Sequence, residues 1–416
     1  MKTVCVLGLG YIGLPTASIL ATSGHRVIGV DVNARVIDAL RTGEPHIEEP
    51  GLRAIAQSAL SSGNLELRRT PEPADAFIIA VPTPLTSDKK PDMSYVERAA
   101  ESIALHLRPG NLVILESTSP PGTTCDLVAP IVRRAGFEPG AQVFVAYCPE
   151  RVLPGRILKE IIENDRVIGG LDRASAEKAL ELYGSFVEGE IFLTDATTAE
   201  TVKIVENTYR DVNIALVNEL SRVCSELGIS VWDVIELSNR HPRVRLHAPG
   251  PGVGGHCLPV DPWFLVDRCP DCTRLIRASR AVNDEQPAFT ASLIETLVED
   301  VDRPKVALLG ITYKADVDDV RESPTSALIG LLKRKGYELS VHDPHARTAS
   351  IELQGLEEAL DGADCAVILV DHSQFRELDP ARVAPLMRTL QLLDTKRTVA
   401  AEAWREAGFT VRLLGA

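Results

Sequence analysis

The chain has 416 residues, 45% apolar and 25% charged, which suits a soluble globular protein of two or three domains. Its net charge of −14, from 44 basic against 58 acidic residues, argues against a nucleic-acid or anionic-membrane surface but leaves room for a local basic pocket around a phosphorylated ligand. No run of roughly 18 apolar residues marks a membrane span, the N-terminus lacks signal-peptide grammar, and eight scattered cysteines fit a reduced, cytoplasmic protein.

The first element, "TVCVLG" from Thr3, reads as a buried strand. "GLGYIG" follows, placing Gly8, Gly10 and Gly13 in a G-x-G-x-x-G turn ahead of an apolar helix that Gly24 closes. The strand "RVIGVD" then ends on Asp31. In this strand–turn–helix–strand context the glycines predict a dinucleotide cradle. The first makes the turn, the second admits the pyrophosphate, and the third lets helix pack on strand. Asp31 suits ribose hydroxyls and would repel a 2′-phosphate, so NAD is expected rather than NADP. Strands at 76–81, 112–117 and 142–147, with a helix over 93–107, predict a parallel sheet covered on both faces. Thr83 and Thr118 stand at strand ends, where ligands of such sheets bind but where turn hydroxyls are also common.

From Thr197 to Leu227 there is neither Gly nor Pro, and Leu216, Leu220, Val223 and Leu227 recur at helical spacing. The stretch predicts one long helix, opened by a Thr197–Glu200 capping box and ended by Gly228. Lys203, Asn207 and Arg210 share one face of it, either a solvated stripe or a set of groups able to activate a hydroxyl. A second helix is expected over 273–300. Between them lies "PGPGVGGHCLPVDPWF", too rich in Gly and Pro for regular structure. It carries Cys257, with Asp261 four residues on. By itself the thiol is as readily a structural cysteine as a nucleophile. Upstream, Arg240, His241, Arg243 and Arg245 form a basic cluster fit for an anion. The pair Cys269 and Cys272 lacks a second ligand pair, so no metal site is expected. Strand grammar returns at Lys305 and runs to the C-terminus, with a helix over 323–335. The layout is α/β: an N-terminal Rossmann domain (1–194), a central long-helix spine (195–300) and a C-terminal Rossmann-like domain (301–416).

The wording of these segments carries a resemblance. "GLGYIGLPTA", "VPTP", "LVILESTSPPGTT", "AYCPERVLPG", "NDRVIGG", "ENTYRDVNIALVNEL", "NRHPRV", "GPGVGGHC", "VDPWF" and "ITYKADVDDVRESP", in that order, resemble the nucleotide-sugar 6-dehydrogenases. The resemblance implies an NAD domain, a central dimer-forming spine and a UDP-binding domain. It implies that Cys257 is the catalytic thiol and Lys203 the active-site lysine, with Asn207 and Asp261 supporting the reacting groups and Glu150 near a thioester during hydrolysis. It assigns Arg151, Val152, Lys203, Asn207, Arg210, His241, Arg243, Gly254, Tyr313, Lys314 and, on weaker wording, Lys396 to the UDP-sugar. Tyr11, Ile12, Asp31, Arg35, Thr83, Thr118 and Arg321 fall to NAD.

The expected reaction is oxidation of a primary alcohol to a carboxylate, four electrons into two NAD. Which UDP-sugar is taken depends largely on configuration at C2, which no physical argument reads from sequence. The loop wording, with Val260 where UDP-glucose enzymes more often carry lysine, favours N-acetylmannosamine over N-acetylglucosamine or glucose. A two-electron hydroxyacid dehydrogenase also pairs such a helix with a Rossmann domain but has no use for Cys257, and a non-catalytic sensor would bind without turnover. The expected partners are the UDP-sugar and a second copy of the chain, with no nucleic acid and no membrane.

Overall fold

The computed structural model describes residues 1–347, 349 and 351–416. They form two compact units, Met1–Glu206 with Trp263–Pro270, and Asn207–Pro262 with Asp271–Ala416. The first unit holds an eight-stranded sheet: β1 (Thr3–Leu7), β2 (Arg26–Val30), β3 (Leu65–Arg68), β4 (Ala76–Ile79), β5 (Leu112–Leu115), β6 (Phe144–Tyr147), β7 (Arg166–Gly170) and β8 (Ile191–Asp195), in the order β3-β2-β1-β4-β5-β6-β7-β8. Alternation sends Val4 and Val6 of β1 into one core and Cys5 and Leu7 into another. Both sheet faces are therefore covered, and the strand reads as a continuous apolar run.

The strands marked in the sequence, β1, β2, β4, β5 and β6, pair in parallel as expected, and the sheet continues beyond them in the other direction: β7 pairs antiparallel with β6, Ala146 opposite Gly170, and β8 runs parallel to β7. The last two strands thus extend a parallel sheet with reversed ones, an arrangement common at sheet edges. Strands β3, β7 and β8 had no assigned pattern. β8 is largely half-exposed and β3 alternates, so neither shows an apolar run. Finally, the long helix (Ala196–Leu227) is capped by Asp195, not by the Thr197–Glu200 box. The Asp195 carboxylate accepts from the Thr198 N–H at 2.9 Å and the Thr198 hydroxyl at 2.6 Å. Glu200 is fully buried and serves another element, accepting from the Gly122 and Thr124 N–H groups and the Thr124 hydroxyl.

In the second unit all five strands are parallel: β9 (Lys305–Leu309), β10 (Glu338–His342), β11 (Cys365–Ile368), β12 (Gln391–Asp394) and β13 (Thr410–Leu413), in the order β10-β9-β11-β12-β13. The second spine helix (Arg274–Leu297) joins the long helix through buried polar groups. Arg280 pairs with Asp211, and Asn283 donates to Asp211 at 2.8 Å and accepts from Asn218 at 2.9 Å.

The two sheets begin alike. Gly8, at φ +89, donates its N–H to Val30 O at 2.8 Å, and Leu9 N–H donates to Asp31 at 3.0 Å. Gly310, at φ +101, donates to His342 O at 2.8 Å, and Ile311 N–H donates to Asp343 at 2.7 Å. They then differ, because Asp343 also meets the fully buried His372 ring at 3.1 Å.

Replacing Asp195 with Ala is expected to cost roughly 1 kcal/mol in urea unfolding, whereas Thr197→Ala stays within about 0.5 kcal/mol.

Candidate active site

The cofactor cradle is built from backbone proximity. A Cβ on Gly13 would lie 1.8 Å from the Gly8 carbonyl oxygen, so only glycine lets the first helix (Gly13–Thr22) start there. A Cβ on Gly10 would meet nothing within 4 Å, so the loop there borders open space. Tyr11 and Ile12, both half-buried, lead into the helix N-terminus, whose N–H groups and dipole suit a pyrophosphate. Each Asp31 oxygen accepts one backbone N–H, from Leu9 and from Asn33, and keeps a lone pair for a ribose hydroxyl. Arg35 is exposed, with its N–H held by the Asn33 side chain. The Thr83 hydroxyl donates to Thr118 O at 2.7 Å, which ties the two strand ends together. These features fit NAD.

Around Glu150 the same unit holds a buried charge cluster that the sequence reading missed. Glu150 and Arg166 are 7% and 3% exposed and pair at 2.7 Å. The Arg166 guanidinium stacks over Tyr183, 4.8 Å from the ring centroid, and reaches Cys148 Sγ at 3.6 Å. Glu116, 3% exposed, accepts from the Tyr183 hydroxyl at 2.9 Å. Burial, then the nearby Glu150 charge, pushes the Glu116 carboxyl up to about 8. Arg151 donates to Glu206 at 2.7 Å, and Val152 packs half-buried against one core. Lys203 is half-buried on the long helix, one turn before Asn207.

The thiol loop lies in the second unit. Asp261, 3% exposed, opens a short helix (Asp261–Arg268) whose first N–H donates to Cys257 O at 2.8 Å. Cys257 is exposed, one turn before that carboxylate. Asn207 donates to Asp261 and accepts from Arg210, so three of the predicted residues form one chain of hydrogen bonds. The loop is anchored by two amides that sequence reasoning also missed. Asn218 accepts from Gly250 N–H at 3.0 Å, and Gln286 donates to Gly250 O at 3.1 Å. A Cβ on Gly250 would lie 2.4 Å from Lys396 Nζ, and burial lowers the pKa of that ammonium.

A Cβ on Gly254 would press on Tyr313 and Pro324 at 2.8 Å, so the loop rests on the turn after β9. Lys314 lies half-buried in that turn. Arg321 is held by Asp319 at 2.7 Å, and Asp319 also faces His256. His241 and Arg243 are exposed, and the Arg243 N–H donates to the His241 ring at 3.3 Å. One group of the described residues, Asp316, His345 and His372, has ligand spacing. Both His372 nitrogens are already engaged, Nδ1 by the Asp316 N–H at 3.0 Å and Nε2 by Asp343, which leaves no lone pair for a cation.

Three family models match in succession. They are the NAD binding domain of the UDP-glucose/GDP-mannose dehydrogenase family over residues 2–187, its central domain over 197–285 and its UDP binding domain over 307–401. The chain belongs to the UDP-glucose/GDP-mannose dehydrogenase family. Among relatives, a UDP-N-acetyl-D-mannosamine dehydrogenase of Methanococcus maripaludis is 47% identical, covering 100% of this chain and 97% of that one. An NDP-N-acetyl-D-galactosaminuronic acid dehydrogenase of Ralstonia nicotianae is 47% identical over 92% of this chain and 93% of its own. The solved structure of a UDP-D-ManNAc dehydrogenase from Pyrococcus horikoshii superposes with a TM-score of 0.94 at 41% identity, covering 99% of both chains. No helix among the described residues is long and apolar enough to cross a membrane.

Gly10→Ala is expected to fold like the parent and weaken NAD binding at least about tenfold by titration, because its methyl group enters space the pyrophosphate needs. Gly13→Ala is expected to lose the fold of the first unit, seen as a collapsed thermal transition. For Glu116 the pH sign is definite. Between about 4.5 and about 8 the unfolded chain has lost the proton that the folded chain keeps, so stability falls as pH rises through that window. Glu116→Gln abolishes this term, and its melting temperature should gain steadily on the parent's across the same range.

Proposed function

We propose that the protein oxidises C6 of UDP-N-acetyl-D-mannosamine to the carboxylate, giving UDP-N-acetyl-D-mannosaminuronate, with two NAD per sugar. The observation that carries this reading is the full-length likeness to UDP-N-acetyl-D-mannosamine dehydrogenases in both sequence and structure. Each bound NAD accepts one hydride. Lys203, with a water supported by Asp261, takes the proton of the C6 hydroxyl as the first hydride leaves. Asn207 holds the Asp261 carboxylate in place, its own amide fixed by Arg210. The Cys257 thiol then adds to the aldehyde, giving a thiohemiacetal. Loss of the second hydride, with the hydroxyl proton passing to solvent, leaves a thioester; water then attacks it, giving one proton to Glu150, and the departing thiolate is reprotonated as the acid leaves. One water oxygen enters the product and four electrons leave it. The covalent step keeps the aldehyde on the protein between oxidations.

Arg151, Val152, Arg210, His241, Arg243, Gly254, Tyr313, Lys314 and Lys396 are assigned to the UDP-sugar, and Tyr11, Ile12, Arg35, Thr83, Thr118 and Arg321 to NAD. We divide the chain into an NAD domain (1–194), a helical spine with the thiol loop (195–300) and a UDP-binding domain (301–416). The protein works in the cytoplasm, where a reactive thiol stays reduced.

A homodimer through the long helix completes the proposal. Tyr209, Leu216, Val223 and Leu227, at spacings of seven, seven and four, are 60%, 48%, 45% and 66% exposed along one stripe of that helix. Such a seam is the pattern a helical partner covers.

Incubated with NAD, a panel of UDP-sugars should give two NADH per molecule of the N-acetylmannosamine substrate, read by absorbance and product mass. One NADH per sugar overturns the four-electron scheme, and faster turnover of UDP-N-acetylglucosamine, UDP-glucose or the galactosamine nucleotide replaces the substrate. Cys257→Ser should lower acid formation by at least about 10³-fold. Leu216→Asp with Val223→Asp should convert a dimer to a monomer in light scattering.

A further inference from the structure

The mechanism uses Glu150 but leaves unexplained the buried cation behind it. Arg166 rises from β7 with its guanidinium 3% exposed and held on several sides. One nitrogen donates to Glu150 Oε2 at 2.7 Å and to Ile161 O at 3.2 Å, and another reaches Cys148 Sγ at 3.6 Å. The rings of Tyr183 and Phe186 lie beside it, their centroids at 4.8 and 5.7 Å. Arginine held this way presents its fork in a fixed direction. Glu116 lies close by but turns to hydroxyls, from Tyr183 at 2.9 Å and Thr16 at 3.5 Å. The other Glu150 oxygen, Oε1, accepts the Arg151 N–H at 3.1 Å and keeps a lone pair.

We propose that Arg166 is a positioning residue for thioester hydrolysis: one of its guanidinium nitrogens pins Glu150 Oε2, so that Oε1 is presented to take the proton of the attacking water. This rests on the hydrolytic role given to Glu150 above. The step moves no electrons. A C–O bond forms, the C–S bond breaks, the water proton passes to Glu150, and the thiolate is reprotonated as the acid leaves. The titratable and charged groups around Glu150 are Arg166 on β7, Cys148 beyond β6, Glu116 beyond β5, Tyr183 on the helix Arg173–Tyr183, and Arg151 in its own loop. Burial raises the Cys148 thiol to about 12 and Glu116 to about 8, so both are neutral near pH 7.

The test is stopped-flow NADH formation by the full chain with NAD and UDP-N-acetyl-D-mannosamine across pH. Arg166→Met should show a rapid burst approaching two NADH per active site, then a steady rate lowered about 10- to 100-fold, because both hydrides leave before hydrolysis stalls. The acid limb of its kcat profile should move to higher pH, and Arg166→Lys should bring it part of the way back. Glu150→Gln should give the same burst, with the double variant no slower than Glu150→Gln alone. If Arg166→Met slows both hydride steps equally and leaves the limb in place, Arg166 is merely structural and the proposal fails. Multiplicative losses in the double variant overturn it as well. Should Arg166→Met not fold, Arg166→Lys decides alone, since a parental pH profile refutes the assignment. A parent protein that forms no NADH from any UDP-sugar refutes the function itself, a result distinct from all of these.

Discussion

The tightest constraint in the first unit is the approach of the first helix to the turn that precedes it. Gly13 sits so close to the Gly8 carbonyl that any side chain would collide with backbone. Because the helix can start there, its N-terminus points across the ends of β1 and β4, where the strand order reverses. Asp31 fastens the same turn to β2 through the Leu9 N–H. Cofactor geometry is therefore set by packing that exists before any ligand arrives, which reduces the ordering cost of binding.

The thiol loop is positioned by different means. Its sequence has too much Gly and Pro to make ladder hydrogen bonds, so its backbone is satisfied by side chains from the two spine helices, Asn218 and Gln286, at Gly250. Farther on, the Cys257 carbonyl receives the first N–H of the short helix, which places the thiol one turn before Asp261. The polar groups that hold this loop thus ride on regular helices although the thiol itself is in a loop, which is how rigid elements lend precision to a site.

Motifs with a local mechanism were legible in the sequence. Gly8, Gly10, Gly13 and Asp31 act through backbone geometry within one strand–helix–strand unit, and their spacing carries that information. The long helix was legible for the same reason, since a period without Gly or Pro is a local property. What stayed hidden depends on distant partners. Glu200 looked like a capping glutamate because its spacing from Thr197 is right, yet its carboxylate goes to Gly122 and Thr124. Arg166 and Glu116 lay inside quoted segments without standing out, because a charge in an apolar strand gains meaning from what buries it. The reversal of β7 was equally invisible, as a strand's direction leaves no mark on its residue pattern. The roles proposed for Cys257, Lys203 and Glu150 rest on family wording, and spacing alone left the thiol undecided.

The second sheet repeats the opening of the first down to the glycine N–H that meets the neighbouring strand and the carboxylate that takes the next N–H. In the first turn that carboxylate accepts from the Leu9 and Asn33 N–H groups, and in the second His372 meets it as well. The chain therefore has two turns of one design, one of them with an imidazole set against its carboxylate. Asp343 thus spends its lone pairs on its own chain, whereas Asp31 keeps one on each oxygen for a ribose hydroxyl, and the turn after β9 carries Tyr313 and Lys314 instead.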